Sequence, residues 1–215
     1  GGGGAFAPFD GDWYWYSQQA DISYKQLTRS FTMPVGGGDM TFRISYDTEP
    51  DWDFVFVEIH NLATDMWSTA PDQNGHTSDD TGESCPEGWF ELHPWLEQYQ
   101  GADCSGAGWN ASSGRSNGWE EWSIDLDGFA QPGEEIEVFI SYASDWASQG
   151  LGTFVDSIQM PGEAVESFET GEGVWSAVGP PAGSDPNPNN FIRTQDVGFE
   201  EGAIVSQTPT TADFM

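Results

Sequence analysis

The feature that most constrains this chain is a series of short runs in which apolar and polar residues alternate, with almost no helical periodicity. The clearest run is 40–46, where four apolar residues fall on one face of an extended segment and three polar residues fall on the other. The apolar residues are mainly aromatic and β-branched rather than Leu and Ala, a bias that favours strands over helices. The pattern therefore predicts an all-β protein.

Seven segments carry a strand pattern, and turn residues separate several of them. Gly36–Gly38 and the turn at 131–133 are of the type that joins neighbouring strands. One helix-like patch, Trp95–Tyr99, is long enough for one or two turns only. We expect a β-sandwich of about eight to ten strands, including Trp13–Ser17, Leu27–Met33, Met40–Tyr46, Phe54–Ile59, Trp119–Leu126, Ile136–Tyr142 and Thr153–Met160.

Between residues 70 and 118 the strand pattern breaks and the chain becomes polar and rich in Gly, Asp and Ser. A segment of this length without strands is predicted to be an insertion. Its two cysteines, Cys85 and Cys104, show neither the CxxC nor the His-pair spacing of a structural zinc site, which needs more protein ligands than these two. A disulfide between them would close a loop of about twenty residues and indicate an oxidising compartment; two free thiols are the alternative.

The composition changes again after Pro161, where a turn-rich stretch follows. We predict one sandwich domain over 1–161 and an extension over 162–215 that begins a second β unit or acts as a linker. The start at Gly1, without a signal peptide, and the end at Met215 indicate a fragment or a mature piece of a longer protein. No apolar run approaches the roughly 20 residues of a membrane span.

Charge excludes several classes of partner. Asp and Glu number 36 against five Lys and Arg, so the formal net charge is -31. Such a surface repels nucleic-acid phosphates and anionic lipids. Two compatible interpretations remain: a surface adapted to a salty, halophilic medium, or carboxylates that converge on divalent cations.

The sequence contains no recognisable catalytic motif. His60, His76 and His93 form none of the spacings typical of zinc peptidases, and there is no nucleophile elbow or phosphate-binding loop. Pairs of carboxylates are too numerous to indicate a glycosidase. We therefore predict that this segment is not an enzyme.

The most informative acidic cluster precedes the strand at 54–59. Asp47, Glu49, Asp51 and Asp53 occupy alternate positions, and on one face of a strand they would repel one another strongly. Pro50 turns part of the cluster into a loop, where carboxylates can surround Ca²⁺. A solvated acidic turn is the alternative.

A second acid lies inside an apolar run. Asp156 lies inside the otherwise apolar run Phe154–Ile158, and an ionised carboxylate among core residues is unfavourable unless it is paired or ligated. Further candidates for a cation site are Asp10, Asp12 and Asp21.

Taken in order, several of these segments resemble the C-terminal jelly-roll, MAM-like domain of immune inhibitor A metallopeptidases. A similar module trails the catalytic domain of secreted bacterial zinc carboxypeptidases. The resemblance covers roughly residues 12–210 and is carried by Trp13–Ser17, Leu27–Arg29, Tyr46–Val57, Gly118–Trp119, Ile124–Leu126, Gly152–Ile158, Glu166–Glu169 and Gly202–Val205.

The resemblance implies a jelly-roll fold with a structural calcium bound by Glu49, Asp53 and Asp156, with Asp51 as an alternate ligand. It also implies a secreted, non-catalytic accessory domain that aids attachment to a substrate or surface. Its first partner would be the catalytic domain of the same parent chain, which would hold the zinc.

Two other functions remain open. The first is an extracellular module that binds carbohydrate or another surface, with Trp89, Trp95 and Trp109 as an aromatic platform. The second is a subunit of an extracellular assembly formed by pairing of strands between copies.

Overall fold

The computed structural model describes residues 5–198, and these form two antiparallel sheets packed as a sandwich. Its eleven strands are β1 (Trp13–Tyr16), β2 (Ser23–Thr32), β3 (Asp39–Asp47), β4 (Phe54–Asn61), β5 (Met66–Ala70), β6 (Ala111–Ser112), β7 (Glu120–Asp125), β8 (Glu135–Ser144), β9 (Gly152–Gln159), β10 (Ser176–Val178) and β11 (Ile192–Gln195). The prediction of an all-β sandwich is confirmed.

The chain crosses from one sheet to the other at most connections, as in a jelly roll. The first sheet has the strand order β11-β1-β9-β3-β7, and the second has the order β10-β2-β8-β4-β5, with β6 added beside β4. Each of the seven predicted segments overlaps a strand. The face predicted for residues 40–46 is correct, because Met40, Phe42, Ile44 and Tyr46 all lie in the core between the sheets.

The insertion forms a second apolar layer on the outer face of the second sheet. It contains two short helices, α1 (Trp89–Leu92) and α2 (Glu97–Gln100), joined by a 3₁₀ turn (Pro94–Leu96). Trp89, Leu96 and Tyr99 pack there on Phe54 and Phe56 of β4. Since Val55, Val57 and Ile59 face the inner core, β4 is buried on both sides, which explains its continuous apolar run.

The predicted disulfide is present: Cys85 and Cys104 are bonded and close the loop that carries both helices. The helix expected at Trp95–Tyr99 corresponds to the 3₁₀ turn and α2, whereas α1 was not predicted.

Residues beyond the boundary expected near 161 contribute a strand to each sheet. β10 pairs with β2 and β11 pairs with β1, both antiparallel. Phe168, Trp175 and Phe191 from the same segment lie in the core between the sheets. The extension is thus packed into the sandwich as far as the structure describes it, and residues 199–215 lie outside the described part.

Candidate metal centre

The loop between β3 and β4 is held rigidly at one end of the sandwich. Ser113 is central to this, because its Oγ accepts a hydrogen bond from the backbone N–H of Asp51 (2.8 Å) and donates one to the carbonyl of Asp53 (2.6 Å). Thr48 is tied to Gly114 by backbone and side-chain hydrogen bonds of 2.9 Å. The acidic side chains of this loop therefore have fixed positions.

Three carboxylates meet at this end of the sandwich. One oxygen each from Glu49, Asp53 and Asp145 lies within 4.8 Å of the others. Asp53 closes the loop before β4, and Asp145 directly follows β8, the neighbour of β4 in the sheet. Asp53 is 0% exposed and Asp145 5% exposed, so this group is not a solvated acidic turn.

Backbone and hydroxyl donors hold the central carboxylate. Oδ1 of Asp53 accepts a hydrogen bond from the N–H of Asp145 (3.0 Å), and Oδ2 accepts from the N–H of Glu49 (3.3 Å) and from the hydroxyl of Tyr142 (3.5 Å). Oε2 of Glu49 is buried and has no hydrogen-bond partner among the described residues. A buried carboxylate oxygen without a donor is expensive unless a proton or a cation compensates it.

The pKa values of the three carboxylates also indicate that the group needs a proton or a cation. Burial first, and then the charge of Asp145, raises the pKa of Glu49 to about 7. Burial also raises the pKa of Asp53 and of Asp145 above the ordinary range. None of the ion pairs between described residues involves these three carboxylates.

Asp21 lies at the rim of the group. Partial burial and the charge of Asp145 raise the pKa of its carboxyl, and the N–H of Ile22 donates to the carbonyl of Asp145 (2.6 Å). The donor set is made of carboxylate oxygens only. Such a set suits a hard cation with oxygen ligands, such as Ca²⁺.

The structure brings Glu49 and Asp53 together as predicted but separates the other two predicted ligands from them. Asp51 is exposed, has a positive φ of 69° and is not a member of the group. Asp156 faces Arg43 in the register of β9 with β3, whereas the loop with Glu49 begins beyond Asp47, which faces Gly152. Four residues of strand correspond to about 13 Å.

Backbone N–H groups donate to both oxygens of the buried Asp156. Its Oδ2 accepts from the N–H of Asp10 (3.0 Å) and its Oδ1 from the N–H of Ser157 (2.7 Å). Burial still raises its pKa to about 7. The backbone N–H of Asp12, another predicted candidate, donates to Glu169 (2.9 Å). The sequence predicts that Asp156 is buried but does not predict which groups donate hydrogen bonds to its carboxylate.

The sequence pattern did not indicate Asp145. The available signal was an acid directly after a strong strand, at residue 145. Its relation to Glu49 depends on the pairing of β4 with β8, in which Phe54 faces Ala143, and periodicity does not reveal such long-range pairing.

The aromatic platform proposed for the insertion needs correction. Trp89 and Trp109 are 0% and 1% exposed and belong to the outer apolar layer, and Trp95 is half-buried against them. They are buried because the insertion needs large apolar side chains to cover the outer face of β4. They do not form an exposed binding surface.

Comparisons with known proteins do not assign this chain to a family. No family model matches it, and the search of curated proteins found no match. No helix in the described part of the chain is long and apolar enough to cross a membrane.

Proposed function

We propose that this chain is a non-catalytic, calcium-stabilised accessory module of a secreted zinc metallopeptidase of the carboxypeptidase type. The observation that carries the calcium part is the group formed by Glu49, Asp53 and Asp145. These residues would hold the ion, with Asp21 at the rim. The ion would supply positive charge that lets buried, mutually repelling carboxylates remain ionised in the folded state.

Two further features support the extracellular and accessory parts. The Cys85–Cys104 disulfide is typical of oxidising compartments. The jelly-roll sandwich agrees with the resemblance to modules that trail the catalytic domain of secreted zinc peptidases. A carbohydrate-binding role loses its supporting feature, because Trp89 and Trp109 are buried.

Calcium is expected to raise the thermal stability beyond the effect of ionic strength. A ligand that binds only the folded state adds about 2.7 kcal/mol at a hundred times its Kd. For a chain of this size, that corresponds to a rise in Tm of about 5–10 °C. The measurement is a melting curve in chelator and in millimolar CaCl₂ at constant ionic strength.

Glu49→Gln and Glu87→Gln are the matched variants for this experiment, since Glu87 is exposed. Glu49→Gln should lose most of the calcium increment and Glu87→Gln should keep it. Equal midpoints with and without calcium in the unmodified chain would refute the site. Peptide hydrolysis by the purified chain would contradict the non-catalytic part of the proposal.

A further inference from the structure

A second polar centre, separate from the three carboxylates, is built around His76. Its ring Nδ1 lies 2.6 Å from Oδ2 of Asp72, and Oδ2 also accepts the backbone N–H of His76 (3.0 Å). The side chain of Asp72 is fully buried. Its Oδ1 accepts from the N–H groups of Asn74 (3.1 Å) and Ser123 (2.8 Å), so Asp72 ties the loop to the edge of β7 and fixes the imidazole.

The other ring nitrogen faces a second carboxylate. Nε2 of His76 is 3.9 Å from Oε2 of Glu120, which is too long for a hydrogen bond. Two ligands of one tetrahedral zinc ion, each bound at about 2.0–2.2 Å, lie about 3.4 Å apart, so the two side chains would close by about 0.5 Å on binding. The contact of Nδ1 with Asp72 orients the imidazole ring, whose plane is parallel to the indole of Trp122 with the ring centroids 6.4 Å apart.

Glu120 is positioned as firmly as His76. Its Oε2 accepts hydrogen bonds from Nε1 of Trp122 (3.1 Å) and from the hydroxyl of Tyr46 (3.3 Å), and its side chain is 13% exposed. Both groups that face the gap are thus oriented by buried partners. A carboxylate on the far nitrogen of a histidine, and donors behind a carboxylate, are the usual outer contacts of metal ligands.

His76 is also accessible from outside. It lines an open pocket of about 190 Å³ together with the carboxylates of Asp51 and Asp80 and three serines. With a net charge of -31 over the chain, the potential in this pocket favours entry of a cation.

The other two histidines do not offer this arrangement. Both ring nitrogens of His60 are taken by carboxylates at hydrogen-bond distance, Glu137 at 2.7 Å and Asp65 at 2.8 Å. His93 is buried, and its nitrogens contact Ser184 (2.8 Å) and the carbonyl of Ser144 (2.9 Å). Among the three histidines, only His76 has one ring nitrogen held by a hydrogen bond and the other facing a carboxylate that is too far away for one.

We propose that Nε2 of His76 and the carboxylate of Glu120 bind a divalent ion of the zinc class, with water as the remaining ligands. Asp72 is the positioning residue, because it holds Nδ1 and leaves the Nε2 lone pair for the metal. An imidazole ligand suits Zn²⁺, whereas Ca²⁺ prefers oxygen ligands. This site is therefore chemically distinct from the carboxylate group and independent of the function proposed above.

The test is a calorimetric titration of the full chain with ZnCl₂, in millimolar CaCl₂ so that carboxylate sites of the calcium type are occupied. One zinc per chain is expected. His76→Asn and Glu120→Gln should weaken zinc binding at least tenfold, and Asp72→Asn should weaken it about 10–100-fold. His60→Asn and Glu49→Gln are the controls, and both should keep the zinc affinity.

Nitrogen NMR of the histidine rings uses the unmodified chain, so this measurement does not require a substituted protein to fold. Zinc should shift the Nε2 resonance of His76 and leave the resonances of His60 and His93 in place. Binding weaker than millimolar, binding that survives His76→Asn, or a shift confined to His60 would overturn the proposal. Loss of the calcium effect with intact zinc binding would refute the calcium site only.

Discussion

Glu49 is the residue whose ionisation most directly links the carboxylate group to stability. Its pKa rises from an ordinary 4.5 to about 7 because of burial and the nearby charge of Asp145. The folded state therefore binds a proton more tightly than the unfolded chain. This contribution to stability is complete below pH 4.5 and is lost as the pH rises through about 7.

In chelator, we expect the Tm to fall as the pH is raised from about 4.5 to 7.5. Glu49→Gln should flatten this fall and be more stable than the unmodified chain at neutral pH. Calcium should also flatten it, because the ion replaces the proton. Melting curves across this pH range, with and without calcium, provide the measurement.

Other groups titrate in the same region, so the comparison with Glu49→Gln is essential. Asp156 also has a pKa raised to about 7, so its contribution to stability is likewise lost as the pH rises. Burial lowers the pKa of Lys25 to about 7. Its contribution to stability is therefore lost as the pH falls from about 10.5 through 7, which is opposite to the effect of Glu49. A fall of equal size in Glu49→Gln would contradict the role assigned to Glu49.

At the scale of elements, the insertion completes the burial of β4. Glu58 on the outer face of β4 is 0% exposed, and the hydroxyl of Tyr99 from α2 donates to it (2.7 Å). Ser141 and Gln26 from the neighbouring strands donate to its other oxygen (2.6 and 2.9 Å). The insertion therefore supplies apolar cover for β4 and a hydrogen-bond donor for Oε2 of Glu58, while the neighbouring strands supply the donors for Oε1.

The disulfide is expected to stabilise this element substantially. Cys85 and Cys104 are 19 positions apart, and closing a loop of this length is worth about 3 kcal/mol in the chain-entropy description. The double variant Cys85→Ser/Cys104→Ser should therefore melt about 6–12 °C lower. Its Tm should not respond to reductant, whereas the Tm of the unmodified chain should fall with reductant. A difference below about 0.5 kcal/mol would show that the helices hold the insertion without the bond.

The strand pattern predicted much of the fold because alternation is local. Seven segments were identified in this way, whereas β5, β6, β10 and β11 were missed, since each is short and has exposed or half-buried residues. In the insertion, the polar composition concealed the few large apolar residues that are buried. Of the carboxylate group, Glu49 and Asp53 were predictable because they lie in one loop. Asp145 was not, because its position follows from strand order.

For the whole molecule, the last described segment decides where the folding unit ends. Composition placed a boundary near residue 161, but β10 and β11 extend both sheets, and Phe168, Trp175 and Phe191 are 0–3% exposed in the shared core. Apolar burial of this kind is the main stabilising contribution to folding. We therefore expect residues 162–195, through β11, to unfold in the same cooperative unit as the preceding strands.

A chain that ends at Pro161 is expected to lose cooperative folding. Replacing one buried Phe or Trp by Ala costs about 3–5 kcal/mol, and three such residues together approach or exceed the total stability of about 5–15 kcal/mol typical of a domain. Circular dichroism and thermal melting of the shortened chain test this.

Trp175→Ala and Val174→Ala form a matched pair within the full chain, since Trp175 is 2% exposed and Val174 is 64% exposed. We expect a large fall in Tm for the first and almost none for the second. A shortened chain that melts cooperatively at the unmodified Tm would place the boundary at 161 and make the segment a separate appendage.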